Sequence, residues 1–395
     1  MAEQNTNLKP NKPPIWNDPK YRALFFQLLL MFGVGYFIYS IIQNTLNNME
    51  ARGISTGFAF MSEKSGFDIL QSLIPYDSSS TYGRTFVVGI LNTLLVSVLG
   101  IFLATILGFL VGVARLSNNW LLSRIATVYI EIFRNIPLLI QILFWYIVVL
   151  RAMPSARDSM SLFDSFFLNV RGLYLPAPVT ESGFIYTAIT FLIALIGVFI
   201  LKRWAKKRQE ATGQQTPVFL ISLVLLILAP LLVFFVSGSP LTWDIPALKG
   251  FNFQGGIAII PELFALLIAL TIYTAAFIAE IVRSGIKAVD NGQSEAALSV
   301  GLKPSQNLRL VVIPQAMRVI IPPMTSQYLN LLKNSSLATA IGYPDLVSVF
   351  MGTTLNQTGQ AVEIIMMTMA VYLVLSLLIS LFMNWYNAKM SLTER

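Results

Sequence analysis

Long apolar runs without a single charged residue, such as Leu91 to Ala114 and Phe184 to Leu201, dominate this chain. In helical form about 20 such residues cross a ~30 Å hydrocarbon layer, where no water is present to satisfy open backbone groups. That restricts the fold to helices closed on their own hydrogen bonds. Eight candidate spans stand at 23–43, 88–114, 125–150, 184–201, 218–237, 258–282, 310–333 and 361–386. Charged residues make up only 12% of the 395, against ~25% in soluble domains. The sequence therefore predicts an all-α polytopic membrane protein with about eight transmembrane helices. The first span follows a polar tail, is too long for a signal-peptide core and lacks a small-residue cleavage site, so it is read as a span.

Orientation follows from the basic residues. Of 27 Lys and Arg, seventeen fall in the tails and loops on the side of the termini and seven in the opposite loops; Arg134, Arg318 and Lys333 lie within or at the edges of spans. This places both termini in the cytoplasm. The net charge of +8 then reads as topology, with no nucleic-acid footprint in it. The cluster Lys202 to Arg208 is either a stop-transfer anchor or a contact with anionic membrane lipid. The tail 1–20, with Pro10, Pro13 and Pro14, is expected to be disordered. The 44–85 stretch, rich in Gly and Ser around Asp77–Ser80, and the loop 151–183 face the other compartment. With no Cys and no His, disulfides, thiolate nucleophiles, zinc sites of the usual kind and His general bases are excluded.

Between the sixth and seventh spans, residues 289–304 read as a short helix with explicit ends. Asp290, Asn291 or Ser294 can accept from the first open N–H groups, and Glu295 suits the positive end of the dipole. Ala296, Ala297 and Leu298 favour helix, Gly301 can close it and Pro304 can open the next. Leu298 and Leu302 give it a small apolar face. A two-turn rod held at both ends by membrane spans suits a knob that fits a groove on another protein.

Glu295-Ala296-Ala297, Gly301 and then Val311-Val312-Ile313-Pro314 resemble the EAA loop of ABC importer permeases. Val311 and Ile313 stand where that pattern has Ile and Leu. Gly89 to Ser117, Tyr129 to Pro137, Glu280-Ile-Val-Arg283 and Lys333-Asn-Ser-Ser-Leu337 are similar to the polar-amino-acid permease family. The extra first span, long outer loop and inserted spans at 184–237 resemble the larger subunit of general L-amino-acid importers.

The resemblance implies a type I ABC importer permease core in the bacterial inner membrane, with a cytoplasmic coupling helix at 292–301. Its organisation would be a tail (1–20), an extra span and periplasmic loop (21–84), a first core part (85–150), an insertion (151–257) and a second core part (258–390) with the EAA loop at 290–314. The implied coupling residues are Glu295, Ala296, Ala297, Leu298, Gly301 and Pro314. The implied partners are a second permease in a heterodimer, two copies of a cytoplasmic ATPase and a periplasmic amino-acid-binding protein. The chain has no Gly-x-x-x-x-Gly-Lys-Ser/Thr phosphate loop, so ATP and Mg belong to the partner ATPase and no cofactor is expected on this chain.

Pro322 and Pro323 predict a break in the seventh span, with the carbonyls of Arg318 and Val319 losing their helical partners. Beyond it Ser326, Gln327, Asn330, Lys333 and Asn334 fall on one helical face. That stripe is either a translocation wall or a set of interhelical hydrogen bonds. Thr274, with Gln141 and Thr271, is a weaker candidate for the path. Charges inside a bilayer need pairing or water; Glu131 and Arg134 are spaced to pair with each other, as are Glu280 and Arg283. Each pair is read as a clasp or as part of a gate or path.

Two other classes compete. An ion-gradient-driven secondary transporter would use Glu131 or Glu280, but an Arg three residues away should hold each ionised. A membrane hydrolase would have to use Lys333 with Ser335 or Ser336, which read more plainly as a helix end.

Overall fold

The computed structural model describes residues 16, 18–51, 56–250 and 252–390; the tail expected to be disordered lies largely outside them. Seven helices precede the centre of the molecule: α1 (Pro19–Ala51), α2 (Tyr82–Arg115), α3 (Trp120–Asn135), α4 (Leu138–Ala152), α5 (Phe184–Thr212), α6 (Val218–Leu223) and α7 (Ala229–Val236). The centre is α8 (Pro261–Lys287), followed by the short α9 (Asn291–Ser299) and α10 (Pro304–Asn307). Then come α11 (Ile313–Asn334), α12 (Leu355–Thr358) and α13 (Ala361–Met390). Among the described residues six helices are long and apolar enough to cross a membrane, α6 and α7 counting together, and seven if the bent pair α3–α4 is one span.

The expected third span, 125–150, is corrected to two helices meeting at 107°. Pro137 removes an N–H and pushes Ile136 out of the helical region, to φ −97° and ψ 128°. Gln141 makes the break tolerable: its Nε2 donates to the carbonyls of Phe133 (3.0 Å) and Ile136 (2.9 Å). Expected as a weak path contact, Gln141 is a brace for the end of α3.

The expected span 310–333 is helical but falls short of the apolarity of the others. It is joined to α10 by a wide π-turn at Leu308–Val312, just ahead of Pro314. A similar π-turn, Val224–Leu228, precedes Pro230. In both places the helix widens where a proline withholds a donor. The break expected at Pro322–Pro323 is absent; α11 runs through both prolines. Both rings lie on the exposed side, while Ile320, Ile321 and Met324 hold the other face in the core.

That core is built around α8, where Leu266, Leu270, Ile278 and Val282 are fully buried. The closest neighbour of α8 is α2, which presents Gly100, Ala104, Gly108 and Gly112 at four-residue spacing. A Cβ on Gly108 would stand 2.6 Å from Ile278 Cβ, and one on Gly112 would stand 2.8 Å from the Ala279 carbonyl. Only the bare backbone permits this approach. By contrast α1 buries nothing along its most apolar stretch, and α5 to α7 pack chiefly on one another.

At the end of α8 opposite α9 stand, among the described residues, eight short strands that the sequence reading passed over. They are β1 (Met160–Leu162), β2 (Phe166–Asn169), β3 (Gly172–Leu175), β4 (Ala177–Thr180), β5 (Leu241–Asp244), β6 (Ala247–Lys249), β7 (Asn252–Gln254) and β8 (Ile257–Ile259). One sheet runs β1-β2-β3-β8, and β4–β5 and β6–β7 pair separately, all antiparallel. Registers such as Leu173↔Ile259 and Val179↔Thr242 zip together the two chain segments flanking α5 and α7. The loop 56–81 is also packed rather than loose. Phe60 is buried with Tyr82, Phe350 and Ile364, and the Gly57 N–H donates to Glu363 Oε1 at 2.7 Å.

Candidate translocation face and coupling end

Asp290 provides the cap of α9, its Oδ1 accepting from the Gly292 N–H at 2.6 Å. The helix closes where the Gly301 N–H donates to Leu298 and the Leu302 N–H reaches back to the Ala297 carbonyl at 3.2 Å. Gly301 sits at φ +86° with open space around its Cα. Its backbone angle, not crowding, therefore demands glycine. Ala297 is buried against the rest of the chain, while Glu295, Ala296 and Leu298 face outward. The outward apolar group differs from the expected one: Leu302 is half-buried, and Leu298 is joined instead by Val300. Pro314 opens α11 and is half-buried. An exposed two-residue apolar knob on a capped rod can seat in a partner's groove.

Along α11 the polar residues separate from the apolar ones. Ser326, Asn330 and Lys333 are exposed, and Gln327 and Asn334 half-buried. Met324, Leu331 and Leu332 are buried on the other side. Lys333 opens onto a cavity of about 340 Å³ with Ser336, Met351, Thr368 and Tyr372. Thr274, grouped with these residues in the sequence reading, is buried in α8 and stands apart from this face. Both serines of the nominal Ser–Lys pair turn back to the main chain. Ser335 and Ser336 each donate at 2.7 Å to a backbone carbonyl, of Leu332 and Lys333 respectively.

Toward the α9 end the charged residues meet, but in a different pairing from the expected one. Glu280 does hold Arg283, whose Nη2 stands 2.5 Å from Oε1. Its second partner is Arg115, the last residue of α2. Arg115 also lies 3.9 Å from Glu131. Glu131 thus turns to α2 and not to Arg134, whose guanidinium lies 5.3 Å from the centre of the Phe277 ring. The three-residue spacing permits a pair, and the approaching end of α2 supplies a better placed cation. The Tyr129 hydroxyl donates to the Ile272 carbonyl at 2.7 Å and fixes α3 on α8. Between α3, α8 and α11 a cleft of about 280 Å³ is lined by Arg134, Phe277, Glu280, Ser284, Pro323 and Gln327. The polar stripe of α11 therefore runs from the Lys333 cavity down to this cleft.

Sequence reasoning missed two things. Arg115 was counted only as a loop charge, although its place at the end of an uncharged run could have flagged it as a neighbour of Glu131. It also passed over Asp345, fully buried beyond the C-terminal end of α11. Asp345 Oδ1 accepts from the Ser348 N–H at 2.8 Å, and its carboxylate lies 3.4 Å from the Thr339 and Tyr372 hydroxyls. Burial pushes its pKa up to about 7. Beside it the Leu346 N–H donates to Thr93 and the Tyr343 hydroxyl to the Asn92 carbonyl.

Comparison with known proteins gives a uniform result. A family profile described as binding-protein-dependent transport system inner membrane component matches residues 211–392. The putative amino-acid ABC transporter permease protein YhdX of Escherichia coli is 55% identical over 378 residues, which cover 96% of each chain. The general L-amino acid transport system permease protein AapQ of Rhizobium johnstonii is 54% identical, covering 96% of this chain and 94% of its own. The probable glutamine ABC transporter permease protein GlnM of Bacillus subtilis is 30% identical over 56% of this chain and 98% of its own.

Proposed function

This chain belongs to the family of ABC importer permeases, and we propose that it carries L-amino acids through a bacterial inner membrane at the expense of ATP hydrolysed by its partners. The observation that carries the proposal is end-to-end similarity, 55% identity over 96% of both chains, to a putative amino-acid permease.

In this reading the chain pairs with a second permease, the two together forming the path. Two cytoplasmic ATPases receive the α9 knob of each, and an external binding protein delivers the amino acid at the sheet end. Both termini lie in the cytoplasm, as the basic residues of the tails and connecting loops demand. The chain binds neither ATP nor Mg itself. Closure of the ATPases on ATP draws α9 with them, and α9 is tied through Pro304 and the π-turn to α11 and through Asp290 to α8. Both walls of the cleft then move with one rod, which is the geometry that alternating access requires.

The charges argue against an ion-driven cycle. Glu280 is held by Arg115 and Arg283, and Glu131 stands 3.9 Å from Arg115, so each carboxylate already has a cation beside it. Reconstitution of the chain with its partners tests the reading. Amino-acid uptake that requires both ATP and the binding protein is expected. Uptake by this chain alone, abolished by collapsing an ion gradient, would overturn it.

A further inference from the structure

The inner cluster holds three guanidinium groups and two carboxylates: Arg115, Arg134 and Arg283 against Glu131 and Glu280. Arg283 and Arg115 engage both oxygens of Glu280, and Arg115 also reaches Glu131. Arg134 makes no ion pair within bonding distance among the described residues; its guanidinium rests over Phe277 at 5.3 Å, where it feels Glu280 across the cleft without touching it. A cation inside a bilayer needs a counter-charge or water. The side chain is exposed on this chain and opens onto the 280 Å³ cleft. The neutral polar groups lining that cleft are Ser284 and Gln327, and its apolar walls include Phe277, Val319 and Pro323.

We infer that Arg134 takes the carboxylate of the amino acid as it passes the inner part of the path, a reading that rests on the import function proposed above. A guanidinium presents a planar fork that matches a carboxylate through two parallel hydrogen bonds. The ammonium group would meet the Gln327 carbonyl and the Ser284 hydroxyl, both neutral acceptors. Glu280 is already held by its two arginines and does not trap it. The result is a site with one surplus positive charge that recognises the part common to all amino acids. It leaves the side chain against Phe277, Val319 and Pro323, where little shape is demanded. A weak, side-chain-tolerant hold is what a transit site needs, because a tight one would stall release.

The test uses the whole complex in proteoliposomes, with ATP, the binding protein and a labelled mixture of L-amino acids. In Arg134→Gln the ATP hydrolysed per amino acid delivered should rise roughly tenfold or more, the loss of a charge-assisted hydrogen-bond pair. Arg134→Lys should recover part of the delivery, because a cation without the fork remains. An unchanged ratio in Arg134→Gln would overturn the assignment. So would assembly, hydrolysis and uptake falling together, the mark of a structural role. Loss of the second permease from the purified variant would overturn it in favour of an inter-subunit ion pair. If wild-type uptake itself proved independent of ATP, the import reading would fall instead.

Discussion

Arg115, at the last turn of α2, is bonded to Glu280, two turns from the end of α8, and joins helices that are separated by more than 140 positions in the chain. The same guanidinium reaches Glu131 on α3, so one side chain ties three helix ends together just above the coupling segment. Side-chain exposures of 18% for Arg115 and 23% for Glu280 place the pair between a surface ion pair and a buried one. Replacing Arg115 by Gln leaves Glu280 with Arg283 alone and should lower stability by ~1–3 kcal/mol. Thermal unfolding of the purified complex checks this, and Arg115→Lys should recover part of the loss.

Gly108 and Gly112 set how closely α2 approaches α8. Gly108→Leu has no room, because even its Cβ would stand 2.6 Å from Ile278 Cβ. Forced separation of two packed helices should cost about 1–3 kcal/mol or more. The expected outcome is loss of folded protein from the membrane fraction. Gly197→Leu, in open space on α5, should be recovered at wild-type levels.

Gly301 tests coupling by backbone conformation. At φ +86° a leucine is strained by about 1–2 kcal/mol, although nothing crowds the position. The strain opens the closure of α9 without touching the transmembrane core. Gly301→Leu should therefore insert and assemble, yet lose uptake while the ATPases still hydrolyse. Wild-type uptake in a stably inserted Gly301→Leu protein would contradict the coupling role.

Asp345 gives a pH dependence. Its folded pKa of about 7 stands above its ordinary value of 3.8, so folding favours the protonated form. The stability it contributes is complete below the unfolded pKa and is lost as pH rises through the folded one, a window from about pH 4 to about pH 7. Asp345→Asn removes the ionising group but keeps an acceptor for the Ser348 N–H. The melting temperature of the variant, relative to the wild type, should rise as pH goes from about 4 to about 7 and hold level above that.

The parts of the fold that were legible in the sequence are those where one residue type decides. Uncharged runs locate α2, α5 and α13. Asp290, Gly301 and Pro304 mark the limits of α9 and the start of its successor because caps and left-handed closures depend on local chemistry. Pro137 was visible too, but whether a proline bends a helix depends on what receives the freed carbonyls. Gln141 does so at the α3–α4 break, whereas at Pro322–Pro323 packing of Ile320 and Ile321 keeps α11 continuous. The strands escaped notice because three or four residues are too few to display alternation, and the pairings β3–β8 and β4–β5 join residues 61 to 86 positions apart. The Arg115–Glu131 contact crosses the short turn between α2 and α3 and so lies outside any single helix. Helical spacing predicts neighbours within one helix and is silent about the helix that arrives from elsewhere.

The central claim is that α9 transmits the work of an ATPase to α8 and α11. The chain has no cysteine, so a single one at Leu298 can be cross-linked to the purified ATPase partner without background. The account predicts a cross-link that forms in the resting complex and abolishes amino-acid uptake when formed, with uptake restored on reduction. Failure of Leu298→Cys to link to the ATPase, in a complex that still imports amino acids on ATP, would contradict it.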